Sequence, residues 1–239
     1  MTLLKIKAFF GVALSLAIFA ACSGNPPVIT EVRYRLTSYQ DRETNKTGEY
    51  LSLAILAGDD DGKDDLESVS LINDAAQLYW QAVQDEWVVR PARQQSWIVL
   101  EKILLPDALV PLGRYRVIVR DYAGSQAERA FAVTADKNAG LTFPSLEAGE
   151  NGALVVATSR NESVLMVQSG AGVLLGSFIL RRGSNPRDLI LSNEQIRAQA
   201  KNLYLWEQDP SGRSLLAGPW AAEDFLFSVN TGAVNPQAE

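Results

Sequence analysis

The fold of this chain follows from the stretch Leu112-Gly113-Arg114-Tyr115-Arg116-Val117-Ile118-Val119-Arg120-Asp121-Tyr122-Ala123-Gly124. Tyr115, Val117 and Val119 recur at every second position, which is the spacing of a strand with one buried face. The next four residues, 121–124, have the composition of a tight turn. Residues 129–133 provide a returning strand, so the stretch predicts a β-hairpin.

Further strand patterns surround this hairpin, while the segment 78–89 fits one strand, two short strands or a helical turn. The remaining candidate strands before the hairpin are 28–36, 50–56, 66–72 and 97–105. A density of roughly seven short strands per hundred residues, separated by turn signals, is typical of a β-sandwich.

The hairpin also carries a family resemblance. Leu112-Gly113-Arg114-Tyr115, Asp121-Tyr122-Ala123-Gly124 and Phe131-Ala132-Val133 resemble the last two strands of an immunoglobulin-like or fibronectin-III-like domain. The resemblance covers 28–134 and implies that Tyr115 is a tyrosine-corner residue. The Cys–Trp–Cys core of antibody domains is absent from this region.

A second strand-rich region follows a small, polar boundary. The spacing of Ser192 to Gln195 fits a capping box and predicts a short helix that runs to Lys201. A final hairpin crosses the turn 209–212 and loosely echoes the first one. The candidate strands of this region are 141–146, 154–158, 164–168, 173–180, 204–208 and 214–217. We therefore expect an all-β chain of two tandem immunoglobulin-like β-sandwiches, at 28–134 and 141–230, with a short helix in the second and a flexible tail at 231–239.

The first residues read as a secretory signal. Lys5 and Lys7 precede an uncharged, mostly apolar run from Ala8 to Ala20. This run is short for a membrane span, which needs about 20 apolar residues. Small residues then lead directly to Cys22. We expect a signal peptide at 1–21 and a tether at 22–27.

The segment Phe19-Ala20-Ala21-Cys22 resembles the lipobox of bacterial lipoproteins, although Phe19 stands where that family prefers leucine. The resemblance implies that the Cys22 thiol is diacylated and that the acyl chains hold the protein at a membrane. Burial of each CH₂ contributes roughly 0.8 kcal/mol, so two or three chains are enough for stable anchoring.

By the same resemblance, Ser23 favours an outer membrane over an inner one. Which face the protein occupies is left open. The alternative is an ordinary signal peptide cleaved elsewhere, with Cys22 incidental.

Composition excludes several classes of function. The formal net charge of −6 opposes binding to nucleic acid, whose affinity depends on Lys and Arg contacts to phosphate. The chain contains no histidine and one cysteine, so Ser-His-Asp and Cys-His catalysis and the usual zinc sites are excluded. We expect no catalytic residue, and no cofactor other than calcium.

Calcium is suggested by the acidic run Asp59-Asp60-Asp61-Gly62-Lys63-Asp64-Asp65. Clustered carboxylates repel one another, and a hard cation relieves that repulsion. An EF-hand is excluded, because its first and twelfth positions would fall on Ala57 and Ser68. The alternative is a solvated acidic turn without metal. The candidate ligands are Asp59, Asp61, Asp64 and Asp65.

Aromatic residues form the second candidate site. Tyr79, Trp80 and Trp87 are candidates for contact with a protein partner or a glycan. Tyr79 and Trp80 are adjacent, so one of them is expected to point outward from a strand. Trp97 is expected to fill the inter-sheet core, as large aromatic side chains usually do.

These features together predict a non-catalytic envelope lipoprotein that presents β-sandwich modules for protein interaction or structural support. One alternative is a ligand-binding module for carbohydrate or calcium. The other is a carboxylate-dependent hydrolase, for which the candidates are Asp85 with Glu86, or members of the acidic run 59–65. Glycosidases place two carboxyl groups across a cleft, whereas neighbours on a strand point apart, so no enzyme activity is expected.

Overall fold

The structure is a computed structural model that describes residues 25–60, 62–92, 95–105, 108–135, 140–209 and 212–227. The predicted signal peptide, Cys22, Asp61 and the predicted tail lie outside the described residues, so the expectations about them stay predictions. Among the described residues, no helix is both long and apolar enough to cross a bilayer.

The described residues are mostly strand. The first eight strands are β1 (Val28–Asp41), β2 (Lys46–Gly58), β3 (Leu66–Asn73), β4 (Leu78–Val83), β5 (Val88–Ala92), β6 (Gln95–Ile103), β7 (Gly113–Asp121) and β8 (Gln126–Val133). The remaining strands are β9 (Ser145–Ala148), β10 (Leu154–Ala157), β11 (Glu162–Ser169), β12 (Leu174–Arg181), β13 (Gly183–Asn185), β14 (Ala200–Gln208) and β15 (Ser214–Ala221). The helices are α1 (Asp188–Leu191) and α2 (Glu194–Gln199), with 3₁₀ turns at Lys63–Asp65, Gln84–Glu86 and Glu150–Gly152 and a π turn at Glu223–Phe227.

The chain divides into two compact units, each made of separate segments. Unit 1 contains the described residues of 25–34, 52–102 and 111–133, and unit 2 contains those of 35–51, 103–110 and 134–227. The boundaries expected from the sequence, 28–134 and 141–230, differ from this division because 35–51 and 103–110 fall in unit 2. The domain boundaries 28–134 and 141–230 therefore stay a prediction.

Unit 1 is a β-sandwich. One sheet is antiparallel with the order β4-β3-β7-β8, and the other contains the unit 1 portions of β1 and β2 together with β6 and β5. Each sheet buries one face, as a sandwich requires. The buried residues include Leu53 and Ile55 on β2, Ile98 on β6, Leu71 on β3 and Val117 on β7.

The hairpin β7–β8 and the tyrosine corner are as the sequence predicts. Tyr115 pairs with Phe131 across the hairpin, and their rings stack with centroids 5.6 Å apart. The Tyr115 side chain is buried, and its hydroxyl donates a hydrogen bond to the carbonyl of Pro111 at 2.7 Å. This bond to backbone a few residues upstream is the defining contact of a tyrosine corner.

Unit 2 is the second β-sandwich. Its larger sheet contains β12, β11, β14 and β15 and the unit 2 portions of β1 and β2, and its smaller sheet has the order β13-β10-β9. β1 and β15 run parallel, from Thr37 opposite Ser214 to Asp41 opposite Gly218. The core includes Leu154, Leu165, Leu180, Leu205 and Trp220.

The predicted short helix is present in unit 2, but its cap is displaced by one residue. Asn193, not Ser192, caps α2, since its side chain accepts hydrogen bonds from the backbone N–H groups of Gln195 and Ile196. Ser192 still closes the preceding turn, because its N–H donates to the carbonyl of Asp188 at 2.9 Å. The helix ends before Lys201, because β14 begins at Ala200.

The tyrosine corner gives a stability prediction. Tyr115→Phe should lower the free energy of unfolding by about 1 kcal/mol, the usual net value of one hydrogen bond. Burial raises the pKa of Tyr115 above its ordinary value. The native state therefore holds the phenolic proton more tightly than the unfolded state, and the wild type should lose stability as the pH rises past about 10.

Urea unfolding of wild type and Tyr115→Phe at neutral pH and at about pH 11 tests this prediction. The difference between the two proteins should be largest at neutral pH and should shrink at the alkaline pH. A difference that stays constant would show that the Tyr115 hydroxyl does not have the environment described here.

Candidate functional site

Three carboxylates converge at one end of unit 1. One carboxylate oxygen from each of Asp59, Asp65 and Asp121 lies within 4.8 Å of the others. Asp59 and Asp65 are half-buried, whereas Asp121 is fully buried. We call these three residues the acidic cluster.

The acidic cluster is built where three strands end or begin. Asp59 directly follows β2, Asp65 directly precedes β3, and Asp121 is the last residue of β7. β3 and β7 are antiparallel neighbours, and Leu66 stands opposite Asp121. Strand pairing therefore brings Asp121 next to Asp65, which is 56 residues earlier in the chain. The N–H of Tyr122 fixes this approach by donating to the carbonyl of Asp65 at 3.0 Å.

The loop between β2 and β3 is folded by its own backbone. The N–H of Gly62 donates to the carbonyl of Asp59, and the N–H of Asp65 donates to the carbonyl of Gly62, each at 3.1 Å. Gly62 has φ 116° and ψ 159°, a conformation that only glycine adopts without strain. The two successive turns therefore return Asp65 to the neighbourhood of Asp59.

The Asp121 carboxylate is only partly satisfied by protein. Its Oδ1 accepts a hydrogen bond from the backbone N–H of Ser125 at 2.7 Å. Its Oδ2 is buried and accepts no hydrogen bond from any described residue. A buried carboxylate oxygen without a partner is destabilising by several kcal/mol in proteins, so a ligand that satisfies Oδ2 would stabilise this end of unit 1.

Charge repulsion adds to this penalty. Two carboxylates about 5 Å apart repel by on the order of 3 kcal/mol at an effective dielectric constant of about 20, before solvent screening. A positive ion between the three side chains would turn this repulsion into attraction. The arrangement is therefore suited to holding a cation, and it contains no nucleophile that is paired with a base.

The structure brings together only part of the predicted calcium ligand set. Asp59 and Asp65 belong to the acidic cluster, Asp64 is exposed and lies outside it, and Asp61 is not described. Sequence reasoning missed Asp121 and assigned it to a turn. The turn is present, since the N–H of Gly124 donates to the Asp121 carbonyl at 3.1 Å. The Asp121 carboxylate, in addition, belongs to the acidic cluster.

The three candidate aromatic contacts differ in exposure. On β4, Tyr79 is 63% exposed and Trp80 is half-buried, so Tyr79 is the adjacent residue that points outward. Trp87 is 8% exposed and lies in the core. Among the three, Tyr79 offers the largest open surface to a partner.

The prediction that Trp97 fills the inter-sheet core is wrong. Its neighbours Ser96 and Ile98 are buried, so Trp97 projects from the opposite face of β6 and is half-buried there. The guanidinium of Arg33 lies 4.8 Å from the centre of the Trp97 ring, within the range of a cation–π interaction. The expectation rested on the usual burial of large aromatic side chains, which does not determine the face of a strand that turns inward.

Asp85 and Glu86 do not face each other across a cleft. They occupy one 3₁₀ turn, where Glu86 Oε2 accepts a hydrogen bond from the N–H of Val83 at 2.9 Å. Asp85 is exposed. The Glu86 carboxylate therefore caps a turn.

Several solved structures are distantly similar to this chain. No family model matches the chain, and no curated protein matches it. The N-terminal Ig1-2 module of the Drosophila receptor protein tyrosine phosphatase DLAR is 9% identical, covers 81% of this chain and 98% of its own, and has a TM-score of 0.33. Dimeric latent PorU from Porphyromonas gingivalis is 11% identical, covers 81% of this chain and 20% of its own, and has a TM-score of 0.32. The BSP domain of a biofilm-associated protein is 11% identical, covers 71% of this chain and 27% of its own, and has a TM-score of 0.24.

The conformation of Gly62 gives a testable consequence for the site. Gly62→Ala should lower the free energy of unfolding by on the order of 1–3 kcal/mol. A Cβ atom at this position would meet no atom within 4 Å, so the loss comes from backbone strain alone. Urea unfolding measures it.

The matched control is Gly140→Ala, where a Cβ atom also meets nothing within 4 Å and φ is not in the left-handed region. That substitution should leave the free energy of unfolding within about 0.5 kcal/mol of wild type or raise it slightly. Equal losses in the two variants would contradict the loop conformation described for the acidic cluster.

Proposed function

We propose that this chain is a non-catalytic, lipid-anchored protein of the bacterial envelope, whose β-sandwich modules bind a protein partner. Lipid anchoring is inferred from the segment Phe19-Ala20-Ala21-Cys22, which follows a basic and then apolar N-terminal stretch. The cysteine is the only one in the chain, and it stands where lipoprotein processing requires a thiol. Acyl chains on this thiol supply the membrane affinity that a net charge of −6 cannot supply on an anionic bilayer.

The exposed row of β4 supports the binding role. β4 is an edge strand of its sheet, and Tyr79, Gln81 and Val83 alternate outward along it. Tyr79 and Val83 are 63% and 49% exposed. An edge strand with an apolar, aromatic outer row suits the addition of an extended segment from another protein, because backbone and side chains both offer contacts.

Loss of the thiol should abolish anchoring. Cys22→Ala should remain unprocessed and should incorporate no radiolabelled palmitate when expressed in a bacterium that makes lipoproteins. Ser23→Ala is the matched control, and it should be processed and labelled like wild type. Normal palmitate labelling of the Cys22 variant would refute the anchor.

The β4 row gives a second test. Tyr79→Ser should weaken partner binding roughly tenfold or more, as loss of a central tyrosine does at protein interfaces. The fraction of the chain that is crosslinked to a second protein in intact cells measures this. Leu189→Ser, which removes a side chain 55% exposed on α1 in unit 2, is the control and should leave crosslinking unchanged. Undiminished crosslinking of the Tyr79 variant would exclude β4 as the contact.

A further inference from the structure

We propose that Asp59, Asp65 and Asp121 bind a calcium ion at the end of unit 1. The proposal goes beyond the anchored, partner-binding role, since it concerns a different set of residues. The anchor could fail its test while the calcium site stands, and the reverse also holds.

The burial of Asp121 is evidence that is separate from the clustering of the acids. Its side chain is 0% exposed, and its Oδ2 accepts no hydrogen bond from the described residues. A turn-forming aspartate needs only the Oδ1 bond to the N–H of Ser125, and such a residue normally keeps its other oxygen in water. Here that oxygen is withdrawn from water, in a side chain that also belongs to the acidic cluster, and calcium sites are built from such carboxylates.

The spacing of the oxygens fits calcium. Calcium–oxygen distances are about 2.4 Å, so two ligands of one ion can lie up to about 4.8 Å apart. One carboxylate oxygen from each residue of the acidic cluster lies within 4.8 Å of the other two, so every pair is close enough to share one calcium ion. Magnesium–oxygen distances of about 2.1 Å limit that separation to about 4.2 Å and require nearly octahedral geometry.

The chemistry of the donors also selects a hard cation. Carboxylate oxygens are the ligands that calcium prefers, whereas zinc and copper favour histidine and cysteine. The chain has no histidine, and its one cysteine is Cys22. Three carboxylates give the site a formal charge of −3, and water molecules would complete the six to eight ligands that calcium takes.

Calcium at this position would join parts of unit 1 that are far apart in sequence. The ion would tie the loop after β2 to the beginning of β3 and to the end of β7. It would therefore hold the end of the β4-β3-β7-β8 sheet against the loop that leads from β2 in the other sheet. A site of this kind, with three carboxylates, is expected to have a dissociation constant on the order of 0.1–1 mM, as extracellular calcium modules do.

Thermal unfolding of the full chain, purified in detergent, tests the proposal. The melting temperature of the wild type should rise by at least about 3 °C between excess EDTA and about 10 mM CaCl₂, with ionic strength matched by NaCl. Isothermal titration should show one calcium ion per chain. MgCl₂ at the same concentration should give less than half of the shift.

Asp121→Asn separates ligation from folding. The amide keeps one oxygen for the N–H of Ser125, and its NH₂ group replaces the repelling oxygen with a donor. This variant should melt at the same temperature as wild type or higher in EDTA, and calcium should shift it by less than a third as much. Asp64→Asn removes one charge from the same loop outside the acidic cluster, and it should respond to calcium like wild type.

Three results would overturn the proposal. The first is a wild type without calcium heat and without a shift in melting temperature. The second is an Asp121→Asn protein that responds as strongly as wild type; if that variant does not fold, Asp59→Asn, at a half-buried position, takes its place with the same expectation. The third is an equal response to magnesium, which would exclude the assignment to calcium.

Discussion

A carboxylate that is wholly withdrawn from water, at the last position of β7, is the constraint on which the end of unit 1 depends. Asp121 accepts one hydrogen bond at Oδ1 and none from the described residues at Oδ2. Ionised groups are buried at a penalty of several kcal/mol unless they are paired. The loop after β2 increases that penalty by adding Asp59 and Asp65, and no side chain that the structure describes donates a hydrogen bond to Asp121 Oδ2.

Strand pairing, and not the acidic run, brings the Asp121 carboxylate to the other two. Leu66 and Asp121 are opposite each other on β3 and β7, and this register sets the distance between Asp65 and Asp121. The tyrosine corner holds the other end of β7, where Tyr115 donates to the carbonyl of Pro111. β7 is therefore fixed at both ends, by packing and a hydrogen bond at one end and by the hairpin turn at the other. Asp121 therefore lies on a strand that is held at both ends, which favours a preformed position for this carboxylate.

Local patterns predicted most strands of the fold, although they left 78–89 undecided and did not predict β13 or α1. Alternation of apolar residues predicted the β7–β8 hairpin, and the resemblance of this hairpin to immunoglobulin-like domains implied the corner that Tyr115 forms. Long-range register was beyond such patterns, so the proximity of Asp121 to Asp59 and Asp65 was missed. Trp97 was placed in the core because large aromatic side chains usually pack there, whereas the inward face of β6 carries Ser96 and Ile98. The cap of α2 fell on Asn193 because Ser192 is still part of the preceding turn, a competition that spacing alone does not reveal.

The central claim is that a cation lies between Asp59, Asp65 and Asp121, and anomalous diffraction from crystals grown with CaCl₂ tests it most directly. A bound calcium ion should give an anomalous peak at about 2.3–2.6 Å from a carboxylate oxygen of each of the three residues. Asp121 Oδ2 should be one of the ligands. The claim would be contradicted if no peak lay there and Oδ2 instead accepted a hydrogen bond from an ordered water or a protein donor.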